Sequence, residues 1–383
     1  MKKIIFFSYD GLNDPLGQSQ IEPYIKYLSN QNYLITLISF EKKNIFNKYI
    51  QYLDKYIYIK FNHGKVGKLI NVISGILAIR SAIKKQRPDL IHIRGFIPGL
   101  IFYLSRKKIK YLYDFRSFAV GEHVDTGNLK KNSFLHKLFV KIDNNLVKNS
   151  AGIVVLEECA KKLLFKTYKV PNVPIEIIRT CADQSAYKKK NNYSFSINKT
   201  INFVSLGGAR NPYRSDIILY IIKCLLENGI NCKLDFINKN DKIIILKNAK
   251  KINFPIDKLN IYSMNHNNIS EHLIKFDFGL IFYHSTKWRR VCSPTKLGEF
   301  LSAGLPVISL EGIDIIDDLN KKFKFIHCIK SKDLNSKNFL EDFKKFIQSS
   351  FENNLCQKLA LSEFNINNAN LKYKNIYQKI LYE

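Results

Sequence analysis

Short apolar runs alternate with segments of helical period along the first half of the chain. Residues 4–9 form an apolar run closed by Asp10-Gly11, the mark of a strand entering a turn. A loop over 12–19 leads to an amphipathic helix over 21–29, with Ile21, Tyr24, Ile25 and Leu28 on one face. Further strands are expected at 33–40, 56–61, 90–93, 110–115 and 152–156, and a helix at 69–85. Strands alternating with helices in this way predict a parallel sheet covered on both faces.

The pattern lapses over 180–200, which is polar and rich in Lys, Asn and Ser, and then restarts. A strand at 201–206 runs into Gly207-Gly208, followed by a helix at 216–227 and strands at 233–237, 259–262 and 278–282. A helix over 295–303 precedes a strand at 305–310. The fold class is therefore α/β, with two doubly wound Rossmann-like domains joined by a polar linker. The expected domains are 1–180 and 201–360, with the linker at 181–200 and a terminal segment at 361–383. Ligands of such sheets bind beyond the carboxyl ends of the strands, and two sheets facing across a cleft place the best pocket between them. The chemistry should then lie in loops that follow strands.

Length and composition agree with two folded domains: 383 residues, 46% hydrophobic and 24% charged. The balance of 61 Lys+Arg against 32 Asp+Glu leaves a formal charge of +29, which favours polyanions. Lys, Asn and Ile abundance, as an AT-rich genome produces, accounts for part of that excess. No zinc-finger spacing, RNA-binding aromatic signature or dense basic arm accompanies it, so no nucleic-acid partner is expected. Seven single cysteines without a C-x-x-C pair read as reduced thiols. No cleavable leader is visible at the start, and no window of about 18 uncharged apolar residues suggests a membrane span. A cytoplasmic chain, soluble or peripheral on the membrane's inner face, is the expectation. His266 and His272, with Glu271 between, lack metal-ligand spacing, and no metal site is expected.

The most informative stretch is Cys292-Ser293-Pro294-Thr295-Lys296-Leu297-Gly298-Glu299. Ser293 suits an N-cap and Pro294 a first helical position, so a helix should start here. Its free N–H groups and dipole favour an anion. Lys296 adds a cation in the first turn, and Arg289 and Arg290 lie just upstream. Glu299, one turn further on, is placed to accept hydrogen bonds from two ribose hydroxyls. Gly207-Gly208-Ala209-Arg210, with Arg214 beyond, offers a close backbone approach and guanidinium groups for a diphosphate.

With these residues the chain resembles nucleotide-sugar glycosyltransferases of the GT-B fold, family 4 type, over nearly its whole length. The resemblance includes Tyr9-Asp10-Gly11 with Pro15-Leu16-Gly17-Gln18, the strand-end residues Arg94 and Asp114-Phe115-Arg116, and Ser293 to Glu299. The terminal segment resembles the family's helix that crosses back to the first domain. The resemblance implies a retaining, metal-independent transfer from a nucleoside-diphosphate sugar to a glycan or lipid-linked acceptor, with no further cofactor. Bacterial surface polysaccharide (lipopolysaccharide O-antigen, capsule or exopolysaccharide) is the implied product. Donor-binding positions would be Gly17, Gly207, Gly208, Arg210, Arg214, Arg289, Ser293, Thr295, Lys296 and Glu299. Arg94, Asp114 and Asp125 would face the acceptor, and Arg116, Glu122 and His123 the reacting groups.

The chain departs from the family pattern at Val291, where a second Glu is usual, and at Glu157 and Ser117. Val291 bears on donor-sugar recognition and keeps an inactive paralogue in view. A nucleotide-sugar epimerase or a phosphorylase of the same fold is a further alternative. Residues 1–180 hold 30 basic and 13 acidic residues, net +17, against +12 for the rest. Lys-edged helices at 65–87 and 130–148 suggest an anionic membrane surface as a partner.

Overall fold

Buried runs of Ile, Phe, Val and Leu make the strands of two parallel sheets, and the segments between them supply the covering helices. The structure is a computed structural model. It describes residues 1–42, 51–188, 192–194, 196, 199–334 and 337–382, excluding the side chains of 266–267 and 337–338. The chain divides into one unit of Met1–Cys181 with Ile366–Glu383 and a second of Ala182–Asn365.

The first unit runs β1 (Lys2–Ser8), α1 (Pro15–Gln20), α2 (Glu22–Ser29), β2 (Tyr33–Glu41), β3 (Lys55–Lys60), α3 (Gly64–Gln86), β4 (Leu90–Arg94) and α4 (Phe96–Leu104). It continues with β5 (Tyr111–Phe115), α5 (Ala119–Asp125), α6 (Phe134–Lys148), β6 (Gly152–Val155), α7 (Glu158–Thr167) and β7 (Ile175–Ile177). Its seven strands lie in the order β3-β2-β1-β4-β5-β6-β7, with every pairing parallel. The register pairs Ser8 with Arg94 and Arg94 with Asp114, so three polar residues line up at the strands' carboxyl ends.

The second unit runs β8 (Ile201–Leu206), α8 (Ser215–Glu227), β9 (Cys232–Ile237), α9 (Lys242–Lys251), β10 (Leu259–Tyr262), α10 (His266–Leu273) and β11 (Phe278–Ile281). Then come α11 (Thr295–Ser302), β12 (Val307–Leu310), α12 (Asp314–Asn320), β13 (Ile326–Ile329), α13 (Lys337–Gln348) and α14 (Asn353–Glu363). The strand order is β10-β9-β8-β11-β12-β13, again all parallel. The last helix, α15 (Ile366–Tyr382), returns to the first unit and buries Tyr373, Ile376, Tyr377 and Ile380 in its core.

Several elements differ from the sequence expectation. The 12–19 loop contains α1, with Pro15 in its first turn; six residues are too few to show a period. The polar 180–200 stretch is not a free linker where it is described. Tyr193 is buried, donates its N–H to Asn353 and bridges to Phe351 of the second unit. Residues 189–191, 195 and 197–198 of that stretch lie outside the described residues. Helix α3 is long and apolar enough, by length and composition, to cross a membrane, although it carries Lys68 and Arg80. It connects β3 and β4, both strands of one sheet, whereas a single span would separate its two ends.

Candidate functional site

In the second unit the site starts where β8 ends. Gly207 has φ +89°, a conformation that suits glycine, and turns the chain away from the sheet. The Asn238 side chain donates to the Gly207 carbonyl (2.5 Å) and accepts from the Asp241 N–H (2.6 Å). Asp241 in turn accepts from the Ala209 N–H (2.9 Å) and from Arg210 Nε (2.7 Å). Three bonds thus fix the 207–210 loop, and the fourth ties its two anchors together. The Arg210 side chain is 71% exposed, with its remaining guanidinium donors free to meet a ligand.

Helix α11 supplies the facing wall. It begins at Thr295, and the extended Pro294 occupies the cap position. Ser293 is therefore one residue outside the helix and is not its cap. Lys296, in the first turn, lies with Nζ 4.0 Å from the Tyr213 ring centre and 5.5 Å from that of Tyr283. A Cβ on Gly207 would come within 3.0 Å of the Lys296 amine, so the glycine gives the cation room beside the loop backbone. Burial lowers the Lys296 pKa, and it has no ion-pair partner among the described residues. Glu299, 8% exposed, is pushed up to about 7 by burial against the opposing pull of Lys296. Tyr187 is raised as well, by burial and then by Glu299.

An unneutralised cation over two aromatic faces, at a helix N-terminus and beside a glycine turn, is a receptor for an anion. Gly207, Gly208, Thr295 and Lys296 come together around it, with Glu299 one turn deeper. Two neighbouring cations are engaged locally. Arg214 is held in the first turn of α8 by Asp216 at 2.8–3.2 Å. Arg290 is paired with Asp314 at 2.7 Å, which removes it from the cation cluster, whereas the charge of Arg289 reaches Tyr283. Gly17 lies in α1 of the first unit, where a Cβ would clash with the Gly11 carbonyl oxygen, so close packing requires the glycine there. Val291 is buried. Tyr187, Tyr213, Tyr283, Asn238 and Asp241 were not singled out by sequence. Their only signal would have been position after a strand.

In the first unit Asp114 is fully buried and organises its neighbours; it offers no surface to an acceptor. It accepts from Arg94 Nη1 (3.1 Å) and the Tyr373 hydroxyl (3.0 Å) and lies 3.3 Å from His92 and 3.5 Å from Arg116. Burial pushes its carboxyl up, but Arg116, His92 and Arg94 together hold it well below the usual carboxylate range. His92 Nδ1 meets the Tyr377 hydroxyl at 2.8 Å. Arg94 Nε is buried without a hydrogen-bond partner among the described residues. The expected loop over 116–127 contains α5, which carries Glu122, His123 and Asp125. Glu122 is half-buried; His123 and Asp125 are exposed. Partial burial and then Lys68 lower the His123 pKa. Glu157 is buried and paired with Arg179 at 2.9 Å.

Residues 24–185 match the family Glycosyltransferase Family 4. No curated protein sequence matches the chain. Solved structures share its fold at low identity. Sucrose-phosphate synthase from Thermosynechococcus elongatus is similar with a TM-score of 0.74 and 10% identity, covering 99% of each chain. The lipopolysaccharide outer core galactosyltransferase WaaB is similar with a TM-score of 0.64 and 11% identity, over 98% of this chain and 99% of that one. HepE from Anabaena, in complex with UDP and glucose, gives 0.64 and 12%, over 99% of this chain and 100% of its own. Two parallel sheets of seven and six strands, the family match and these similarities agree. The chain has the two-sheet fold of these proteins, and its residues 24–185 are similar to Glycosyltransferase Family 4.

Proposed function

We propose that the protein transfers a sugar from a nucleoside-diphosphate donor, bound by the second unit, to a hydroxyl of a glycan or lipid-linked acceptor bound by the first. The observation that carries this reading is the Lys296 amine, without an ion-pair partner among the described residues and poised over Tyr213 beside Gly207. The acceptor oxygen bonds to the anomeric carbon as the bond from that carbon to the diphosphate oxygen breaks. The acceptor's proton passes to the departing diphosphate, so no separate strong base is required. Lys296, the first turn of α11 and Arg210 stabilise the charge that grows on that group. Glu299 receives the ribose hydroxyls. Retention of configuration, a metal-free reaction and a role in surface polysaccharide complete the proposal, by analogy with the family. The binding of UDP by HepE from Anabaena supports a nucleotide donor of this kind.

Thermal unfolding with UDP, GDP, CDP, ADP and dTDP tests the donor site. One diphosphate at about a hundredfold over its Kd should stabilise by roughly 2.7 kcal/mol, a shift of several degrees. Lys296→Ala should abolish that shift. No response to any of the five in the wild type would remove the reading. Turnover of the matching nucleotide sugar without an acceptor, giving an epimer, would replace transfer by epimerisation.

A further inference from the structure

Helix α3 is built inside out. Its protein-facing positions are Gly67, Asn71, Gly75, Ile79, Ala82 and Ile83, and most of them are small or polar. Cβ atoms on Gly67 and Gly75 would come within 2.6 Å of Asn62 and 2.9 Å of Ile101, so the glycines draw the helix onto its neighbours. The large aliphatics point the other way. Val66, Leu69, Ile70, Ile73 and Leu77 recur at helical spacing and are 44–71% exposed. A helix whose apolar stripe served only the core would have the opposite arrangement.

The stripe belongs to a wider layer. Gly75 of α3 packs on Ile101 of α4, and Phe96 of α4 meets Phe139 of α6 with ring centres 5.6 Å apart. At the start of α6, Phe134 is 80% exposed and Leu135 and Leu138 accompany it. Exposed Lys65, Lys68, Lys84, Lys137 and Lys141 border the apolar residues, none with a carboxylate partner among the described residues. Arg80 donates to the Ser105 carbonyl (3.0 Å), which brings Arg106, Lys107 and Lys108 beside the far end of α3. Neither α3 nor α4 contains an acid, and the single acid of α6, Asp143, is buried between Tyr113 and Tyr168. An apolar stripe bordered by cations on α3 and α6, with Asp125 of α5 the exposed acid beside them, matches an anionic leaflet in charge and polarity. A second copy of this chain, equally basic here, would lack that match.

We propose that the α3–α4–α6 layer docks in the headgroup region of an anionic bilayer, with the α3 stripe inserted and the lysines on the lipid phosphates. Helix α3 lies along the interface without crossing it. The Lys68 side chain is near enough to act on His123 of α5. Docking would therefore bring the proposed acceptor segment to the bilayer, as a lipid-linked acceptor requires. This inference stands apart from the donor reading, which concerns the other unit.

Flotation with vesicles of phosphatidylcholine alone, and of equal parts phosphatidylcholine and phosphatidylglycerol, tests it at physiological salt. The full chain should float with the mixed vesicles and not with phosphatidylcholine alone. Leu69→Gln/Ile73→Gln/Leu77→Gln should weaken binding at least about tenfold, which is 1.4 kcal/mol. Its Tm and its response to nucleoside diphosphate should not change. Lys65→Glu/Lys68→Glu should weaken binding similarly and leave the stripe intact. Three results would overturn the proposal: no flotation of the wild type, equal binding by the Gln variant, or lipid-free dimerisation that the Gln variant abolishes without any vesicle binding.

Discussion

A lysine and a glutamate one turn apart on a surface helix would form a weak, screened pair. Burial makes Lys296 and Glu299 into something else. Both charged forms lose hydration, so the Lys296 pKa falls and that of Glu299 rises to about 7. The sign follows from linkage. The folded state binds the Glu299 proton more tightly than the unfolded chain does, near pH 4.5, so its contribution is complete below that pH. It is lost as pH rises through about 7. Glu299→Gln should therefore stabilise the ligand-free protein at pH 8, by on the order of 3 kcal/mol, and change little at pH 4. Denaturant titrations at the two pH values measure the difference. A wild type no less stable than the variant at pH 8 would contradict it.

At the scale of elements, the ends of β4 and β5 are tied to α15 through one buried carboxylate. Asp114 gathers Arg94, Arg116, His92 and Tyr373, residues drawn from β4, α15 and the β5–α5 connection. Asp114→Ala would leave two guanidinium groups buried without their anion, at a cost of about 3–5 kcal/mol. The depressed carboxyl also places a pH dependence here. Its stabilising share is present above about pH 3.8, its unfolded value, and is lost as pH falls further. In Asp114→Ala the acid limb of the stability profile should flatten, which a Tm series between pH 2 and 6 would reveal. Two of the elements that escaped sequence reading have a clear physical reason. Helix α4 is apolar on most sides because it lies between α3 and α6, so it shows no amphipathic period. The strand β7 is three residues long, too short for a pattern to register.

At the scale of the whole molecule, the first unit is discontinuous in sequence and closes only when α15 arrives. Tyr373 packs against Tyr24 with tilted rings whose centres are 4.9 Å apart, Tyr377 meets Tyr33 at 5.4 Å, and the Lys110 amine donates to the Ile380 carbonyl (2.9 Å). A chain ending at residue 365 should expose this core and lose cooperative unfolding of the first unit. Its second unit should keep the diphosphate response. Limited proteolysis, with nucleotide present and absent, separates the two behaviours, and an intact first unit would refute the dependence. The alternation of apolar strands and helices was legible from sequence because period and turn residues are local properties. So was the 293–299 motif, whose helix-start residues, cation and carboxylate lie within two turns. What only the tertiary structure decided are relations between distant residues. It diverted Arg214 to Asp216, buried Asp114 and brought Tyr213 and Tyr283 under the Lys296 amine. It also turned the aliphatic stripe of α3 outward. Burial and charge compensation are set by which elements pack together, and no local spacing encodes that.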